Sequence, residues 1–235
     1  MRINRYIASS GIASRRAAEE LIKQGKIKVN NKVVVDLATE INEDNDTVLY
    51  DGKRIKPVGN FTYMMFYKPK GCVTTASDEK GRKTIYDYID VKDKRLFPIG
   101  RLDYDSEGLL LLTNDGSLTH KITHPSSEVP KTYLVKVEGE IKEAELAKLR
   151  KGVELDGVKT KRCKIKLREF ADDISSFDMT IYEGKNRQIR RMFESIDKKV
   201  IFLKRIAVGD IRLGGLTRGT TRFLNQKEID YLKKI

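Results

Sequence analysis

Four leucines in succession, Leu109 to Leu112, constrain this chain more than any other stretch. An element exposed on one side could not hide all four, so the run predicts a strand covered on both faces and central to its sheet. Directly upstream lies the loop Gly100-Arg101-Leu102-Asp103-Tyr104-Asp105-Ser106-Glu107-Gly108, acidic and bracketed by glycines. Directly downstream, Thr113-Asn114-Asp115-Gly116 is a turn sequence. Polar groups of the loop therefore stand at the mouth of a buried strand, which makes Asp103 a rigidly held carboxylate and a candidate for chemistry. The bland alternative is an Asx turn closed by Asp103 or Asp105.

The chain has 235 residues, 47 Lys and Arg against 34 Asp and Glu, and 39% hydrophobic content. That length accommodates a medium domain with a small accessory one. The net charge of +13 with this much apolar content describes a folded basic protein, not a disordered tail; it fits a polyanion such as nucleic acid, a membrane surface or plain solubility, and charge alone does not choose among them. Cys72 and Cys163 are isolated and lack metal-ligand spacing, so no disulfide framework is expected. The start of the sequence has no continuous apolar segment, and no run approaches membrane-spanning length. A cytoplasmic location is the resulting expectation.

Ile3 to Ser9 reads as a short helix, and Ser14 as the N-cap of a second one that ends at Gly25. Ala17, Ala18, Leu21 and Ile22 give this second helix a core-facing stripe. Arg15 and Arg16 sit in its first turn, where the helix dipole disfavours cations unless an anion is bound there. Asn30-Asn31-Lys32 is read as the turn of a hairpin between Ile27-Lys28-Val29 and Val33-Val34-Val35, with Lys23, Lys26, Lys28 and Lys32 around it. Lys56 to Asn60 reads as a linker.

Beyond it, Phe61 to Tyr67 reads as a strand, Ser117 to Ile122 as a helical turn or two, and Lys131 to Val137 as a strand with Tyr133, Val135 and Val137 on one face. A helix over Lys142 to Arg150 is followed by a hairpin about Asp156-Gly157 and strands at Cys163 to Arg168 and Phe177 to Tyr182. Gly184-Lys185-Asn186-Arg187-Gln188-Ile189-Arg190-Arg191 then concentrates cations at the start of a helix. Val200 to Val208 is β-rich, and Asn225 with Glu228 forms a capping box for a terminal helix. His120 and His124, the two histidines, stand at i, i+4, but no third ligand is evident and no metal is expected.

These motifs resemble the RsuA/RluB-type rRNA pseudouridine synthase family. The G-R-L-D segment followed by G-L-L-L-L-T-N-D-G, the K-P-x-G segment at Lys68 to Gly71, the G-K-x-R-Q-I-R-R-M segment at Gly184 to Met192 and G-x-I-x-L-G-G-L at Gly209 to Leu216 all match. Tyr67 stands where the family usually has Asn before K-P. The segment from Arg2 to about Ile55, with G-I-A-S-R-R and L-I-x-x-G-x-I-x-V-N, resembles an S4 RNA-binding domain.

The resemblance implies an α+β fold: an S4 domain over residues 1–58, a linker to about 60, and a catalytic domain over 61–235 with a mixed, mainly antiparallel sheet flanked by helices. It further implies Asp103 as catalytic aspartate, Tyr133 stacked on the target base, and Arg190 paired with Asp103. Arg101 is implied to fill the gap left by a flipped nucleotide, with Arg187 and the basic residues of the small domain binding RNA. No cofactor is expected, the partner is ribosomal RNA or a ribosomal subunit precursor, and a monomer is expected. Large-subunit rRNA is favoured over small-subunit rRNA. A non-catalytic assembly factor and a sugar or nucleoside hydrolase are the competing classes; the hydrolase alone predicts little salt sensitivity.

Overall fold

The computed structural model describes residues 1–90 and 95–235, which form two compact units. The smaller is built on Met1–Thr62. It contains helices α1 (Ile3–Ser9) and α2 (Arg15–Lys23) and an antiparallel sheet of β1 (Ile27–Val29), β2 (Lys32–Val33), β3 (Val48–Tyr50) and β4 (Lys53–Ile55). Ser14 caps α2 by accepting from the Ala17 amide, and Ala18 and Ile22 reach the core with Ile3, Ile7, Ile27 and Val48. Ala17 is exposed and Leu21 half-buried, so the buried stripe of α2 is narrower than its sequence predicts. The Asn30-Asn31 turn forms with φ of 49° and 68°, and the second strand stops at Val33 instead of reaching Val35.

The larger unit, Tyr63–Asp90, Phe97–Thr113 and Ser117–Ile235, carries the long sheet. Its strands are β5 (Tyr63–Lys68), β6 (Phe97–Ile99), β7 (Glu107–Thr113), β8 (Lys131–Glu138), the separate small hairpin β9 (Glu154–Leu155) and β10 (Val158–Lys159), then β11 (Lys164–Ala171), β12 (Ile174–Ile181), β13 (Val200–Val208), β14 (Ile211–Arg212) and β15 (Thr221–Phe223). Its helices are α3 (Gly116–Thr123, whose first residue groups with the smaller unit), α4 (Glu143–Lys151), α5 (Gln188–Glu194) and α6 (Gln226–Lys234). The order across the sheet is β11-β12-β8-β13-β7-β5-β15, with β14 on β13 and β6 on β7. All these pairs are antiparallel except β13 with β7, so the expected mixed, mainly antiparallel sheet is present.

Every residue of β7 is buried. One face of the sheet packs Met65, Leu109 and Leu111 against Leu118 and Ile122 of α3 and Leu232 of α6. On the other face α5 packs, with Phe193 against Phe177 at 6.1 Å between ring centroids. The Asn225 and Glu228 capping box starts α6, and Arg222 holds Glu228 through two bonds of 2.8 and 2.7 Å. Hairpin β11–β12 is longer than its sequence predicts, because Asp172 and Asp173 both take the left-handed conformation and make a two-residue turn.

The parallel contact depends on one glycine. Gly108 has φ of +111°, and a Cβ there would lie 2.2 Å from the Arg205 carbonyl oxygen. No side chain fits between the two backbones. Gly108→Ala is expected to cost roughly 2–4 kcal/mol of stability, read by urea unfolding of the whole chain.

Candidate active site

The segment from Arg101 to Ser106 has no regular structure, and each of its carbonyls accepts a hydrogen bond. Arg205 Nη1 donates to Arg101 O at 3.4 Å, and Thr74 Oγ1 to Leu102 O at 2.8 Å. Lys68 Nζ donates to Asp103 O and Ser106 O, both at 2.9 Å, and to Pro69 O at 3.1 Å. The Gly71 amide donates to Tyr104 O at 2.9 Å and Arg190 Nη2 to Asp105 O at 3.1 Å, while the Ser106 amide closes a tight turn onto Asp103 O. The loop is thus held by its backbone, and its acidic side chains are free for other uses.

Three of these donors are buried cations. Lys68 is wholly inaccessible, and Arg190 and Arg205 are buried as well. They come from separate places in the chain: the end of β5, the first turns of α5, and the middle of β13. Register explains how two of them meet the loop. Met179, Tyr133, Arg205, Gly108 and Lys68 are successive lateral partners across β12, β8, β13, β7 and β5. Laterally paired residues project from the same face, so Lys68, Arg205 and Tyr133 stand on one side of the sheet, flanking the bare backbone of Gly108. Tyr133 lies two strands, roughly 10 Å, from Gly108.

Burial pushes the Lys68 ammonium below the usual lysine range, while Cys72, Asp103 and Asp105 act to raise it and Arg205 lowers it further. Burial likewise lowers Arg190; the Asp105 carboxylate opposes that most, Arg187 adds to the lowering, and Asp103 and Glu194 oppose it less. The two carboxylates thus compensate charge that the carbonyls alone would leave exposed to a low dielectric.

The pairing of Arg190 differs from the sequence expectation. Its Nε lies 3.1 Å from Oδ2 of Asp105, not from Asp103, and its Nη1 donates to Val200 O at 2.9 Å. Arg187 Nη1 bonds the same Asp105 oxygen at 3.1 Å. Two donors of Arg190 are committed to carbonyls that fix its plane, and that plane meets the loop at residue 105. Among the described residues the Asp103 carboxylate has no hydrogen bond or ion pair, and it is half-buried. Arg101 is exposed beside it.

Tyr67, at the position usually Asn, donates to Oε1 of the buried Glu107 at 2.7 Å; Arg218 lies 3.2 Å from Oε2 of Glu107, and Lys204 lies over the Tyr67 ring at 4.7 Å. In the smaller unit, Arg15, Arg16, Lys26, Lys28 and Lys32 are exposed on α2 and the β1–β2 hairpin, and Lys23 pairs with Glu20 at 3.0 Å. His120 and His124 lie 5.2 Å apart by ring centroids, and among the described residues no group of three or more metal-ligating side chains assembles. Both cysteines are buried; burial raises the Cys163 thiol to about 11. No helix among the described residues is long and apolar enough to cross a membrane.

Lys68, Asp105 and Arg205 are central here but were not among the site residues expected from the sequence. Lys68 sits in the K-P-x-G segment, and its signal was a lysine closing an otherwise apolar strand.

The site is therefore a half-buried loop carboxylate above buried cations of a mixed sheet, and the comparisons with known proteins place the chain among RNA-modifying enzymes. Residues 62–195 match the family of RNA pseudouridylate synthases and residues 1–48 match the S4 domain; the chain belongs to that synthase family. It is 44% identical to the ribosomal large subunit pseudouridine synthase B of Bacillus subtilis, over all of this chain and 96% of that one. An uncharacterized RNA pseudouridine synthase of Aquifex aeolicus is 40% identical, over all of this chain and 94% of its own. A crystal structure of a pseudouridylate synthase, 34% identical, superposes with a TM-score of 0.71 over 99% of both chains.

Lys68→Met is expected to leave the Ser106 carbonyl without its donor and the Asp103 carbonyl with the Ser106 amide alone. Stability should fall by about 2–4 kcal/mol, and amide exchange over 102–107 should accelerate relative to the rest of β7.

Proposed function

We propose that this enzyme isomerises a uridine of large-subunit ribosomal RNA to pseudouridine, with Asp103 as its catalytic carboxylate. The observation that carries the reading is the Asp103 carboxylate itself: unpaired, half-buried, and fixed through its own carbonyl by Lys68. The large-subunit target is favoured by the full-length likeness to the Bacillus subtilis enzyme, whose name states that substrate.

The reaction breaks the N1–C1′ bond, turns the uracil and joins C5 to C1′; the C5 proton leaves and N1, freed of the sugar, takes one up. Bonds broken and formed balance within one nucleotide, so the protein must supply a carboxylate, an enclosure and phosphate contacts. Asp103 acts on the ribose or base as nucleophile or base, and Tyr133 stacks on the extruded uracil. Arg190 keeps the site cationic from beneath. Arg101 occupies the space left in the RNA stack, and Arg187 meets phosphate. The exposed cations of the smaller unit, Arg15, Arg16, Lys23, Lys26, Lys28 and Lys32, grip structured RNA through phosphate contacts. The two units divide the labour as an RNA-binding domain and a catalytic domain, and the enzyme works as a cytoplasmic monomer.

Tritium release from C5-labelled uridine in large-subunit rRNA tests this directly. Asp103→Asn should lower release by at least about a thousand-fold while RNA binding is retained. Release by the wild type from small-subunit rRNA alone would overturn the target, and no release from either rRNA, naked or in subunit particles, would favour an assembly factor without catalysis.

A further inference from the structure

Tyr104 follows Asp103 directly, and it is the one large apolar side chain of the loop left in solvent, 47% exposed where Leu102 is buried. The reaction as derived gives it no task. Its place is nonetheless fixed. The Tyr104 carbonyl accepts from the Gly71 amide at 2.9 Å, and a Cβ on Gly71 would come 4.0 Å from the Tyr104 hydroxyl, so the ring leans over the turn that follows β5. The Arg82 guanidinium lies over the ring, 5.8 Å from its centroid. Arg82 is itself locked by Asp78: Nη2 donates to Oδ1 at 2.7 Å, Nε to Oδ2 at 3.1 Å, and the Arg82 amide to Oδ2 at 2.9 Å. Among the described residues the Tyr104 hydroxyl makes no hydrogen bond, so the ring and not its polar tip is what the loop presents. An aromatic ring held this way loses little conformational freedom when something flat is laid on it.

We propose that Tyr104 is a stacking platform for an unpaired nucleobase beside the target uridine, with Arg82 bracing its ring. This rests on the reading of Asp103 given above. Adjacent Cα atoms lie about 3.8 Å apart, so with Asp103 at the target ribose the neighbouring ring reaches only the nucleotides that flank it. Turning the uridine out of its stack strips those neighbours of a stacking partner. A ring of fixed position replaces that partner whatever the base, because every base has a π-face. The guanidinium over the ring adds positive charge beside the same strand. Tyr133 serves the extruded uracil, and Tyr104 serves the strand that stays behind.

The chain has no tryptophan, so Tyr104→Trp places a single fluorescent reporter at the platform. Its emission should be quenched, saturably, as a full-length large-subunit rRNA transcript is added. In tritium release, Tyr104→Leu and Tyr104→Ser should both raise KM by roughly five- to a hundred-fold with kcat within about two-fold, since the contact is made before and during the reaction alike. Tyr104→Phe keeps the ring and should hold KM within about three-fold of the wild type. A side chain that merely covered the loop would be replaced by leucine as well as by phenylalanine, so that contrast separates stacking from packing. Unquenched emission in the saturated complex, a leucine variant equal to the phenylalanine one, or a phenylalanine variant as impaired as serine would each overturn the proposal. If the wild type releases no tritium from either rRNA, the proposed function fails, and the quenching measurement still decides whether Tyr104 stacks on RNA.

Discussion

The structure turns on a set of buried cations that bond to backbone and not to carboxylates. Lys68, Arg190 and Arg205 together satisfy four of the six carbonyls from Arg101 to Ser106. A charge in the interior costs several kcal/mol unless polar groups surround it. Here the carbonyl dipoles of an irregular loop do so, and in return the loop has a single conformation without help from secondary structure. The loop's own acids remain outside the backbone bonding, where Asp105 engages Arg187 and Arg190 and, among the described residues, the Asp103 carboxylate engages none.

That division accounts for the placement of the site at one end of the sheet. Gly108 leaves a gap in the row between Lys68 and Arg205, and the loop crosses it. A side chain there would push β13 from β7 and carry Arg205 away from Arg101. Conformational freedom and the absence of bulk act at the same residue, and both serve the loop above it.

Much of this was legible in the sequence, and the parts that were not share a cause. The leucine run declares a doubly covered strand, Ser14 and Asn225 declare helix starts, and Asn30-Asn31 declares a turn, because each is a local rule obeyed locally. Strand β15 is three residues long and takes its identity from pairing with β5, so its own residues carry little signal. Asp172-Asp173 lacks the glycine that marks two-residue turns, and the flanking strands compel its geometry. The choice of Arg190 between Asp103 and Asp105 was invisible for another reason. Both acids lie in the same loop, and the selection is made by Val200 O and Asp105 O, acceptors that no side-chain pattern encodes.

Strand β13 has a consequence for how the enzyme is made. One side of it is β8 with β12 and β11, a group of neighbours along the chain; the other is β7 with β5 and β6, another such group. During synthesis each group can assemble as it leaves the ribosome, but they remain separate sheets until Val200 to Val208 has emerged and slid between them. Arg205 arrives on that strand, so the step that joins the sheet also completes the row beneath the loop. A nascent chain truncated before this point keeps the Lys68 tethers to Asp103 and Ser106 but has no donor for the Arg101 carbonyl and leaves Tyr133 on a separate sheet, so the site is incomplete until the last sixth of the chain is in place.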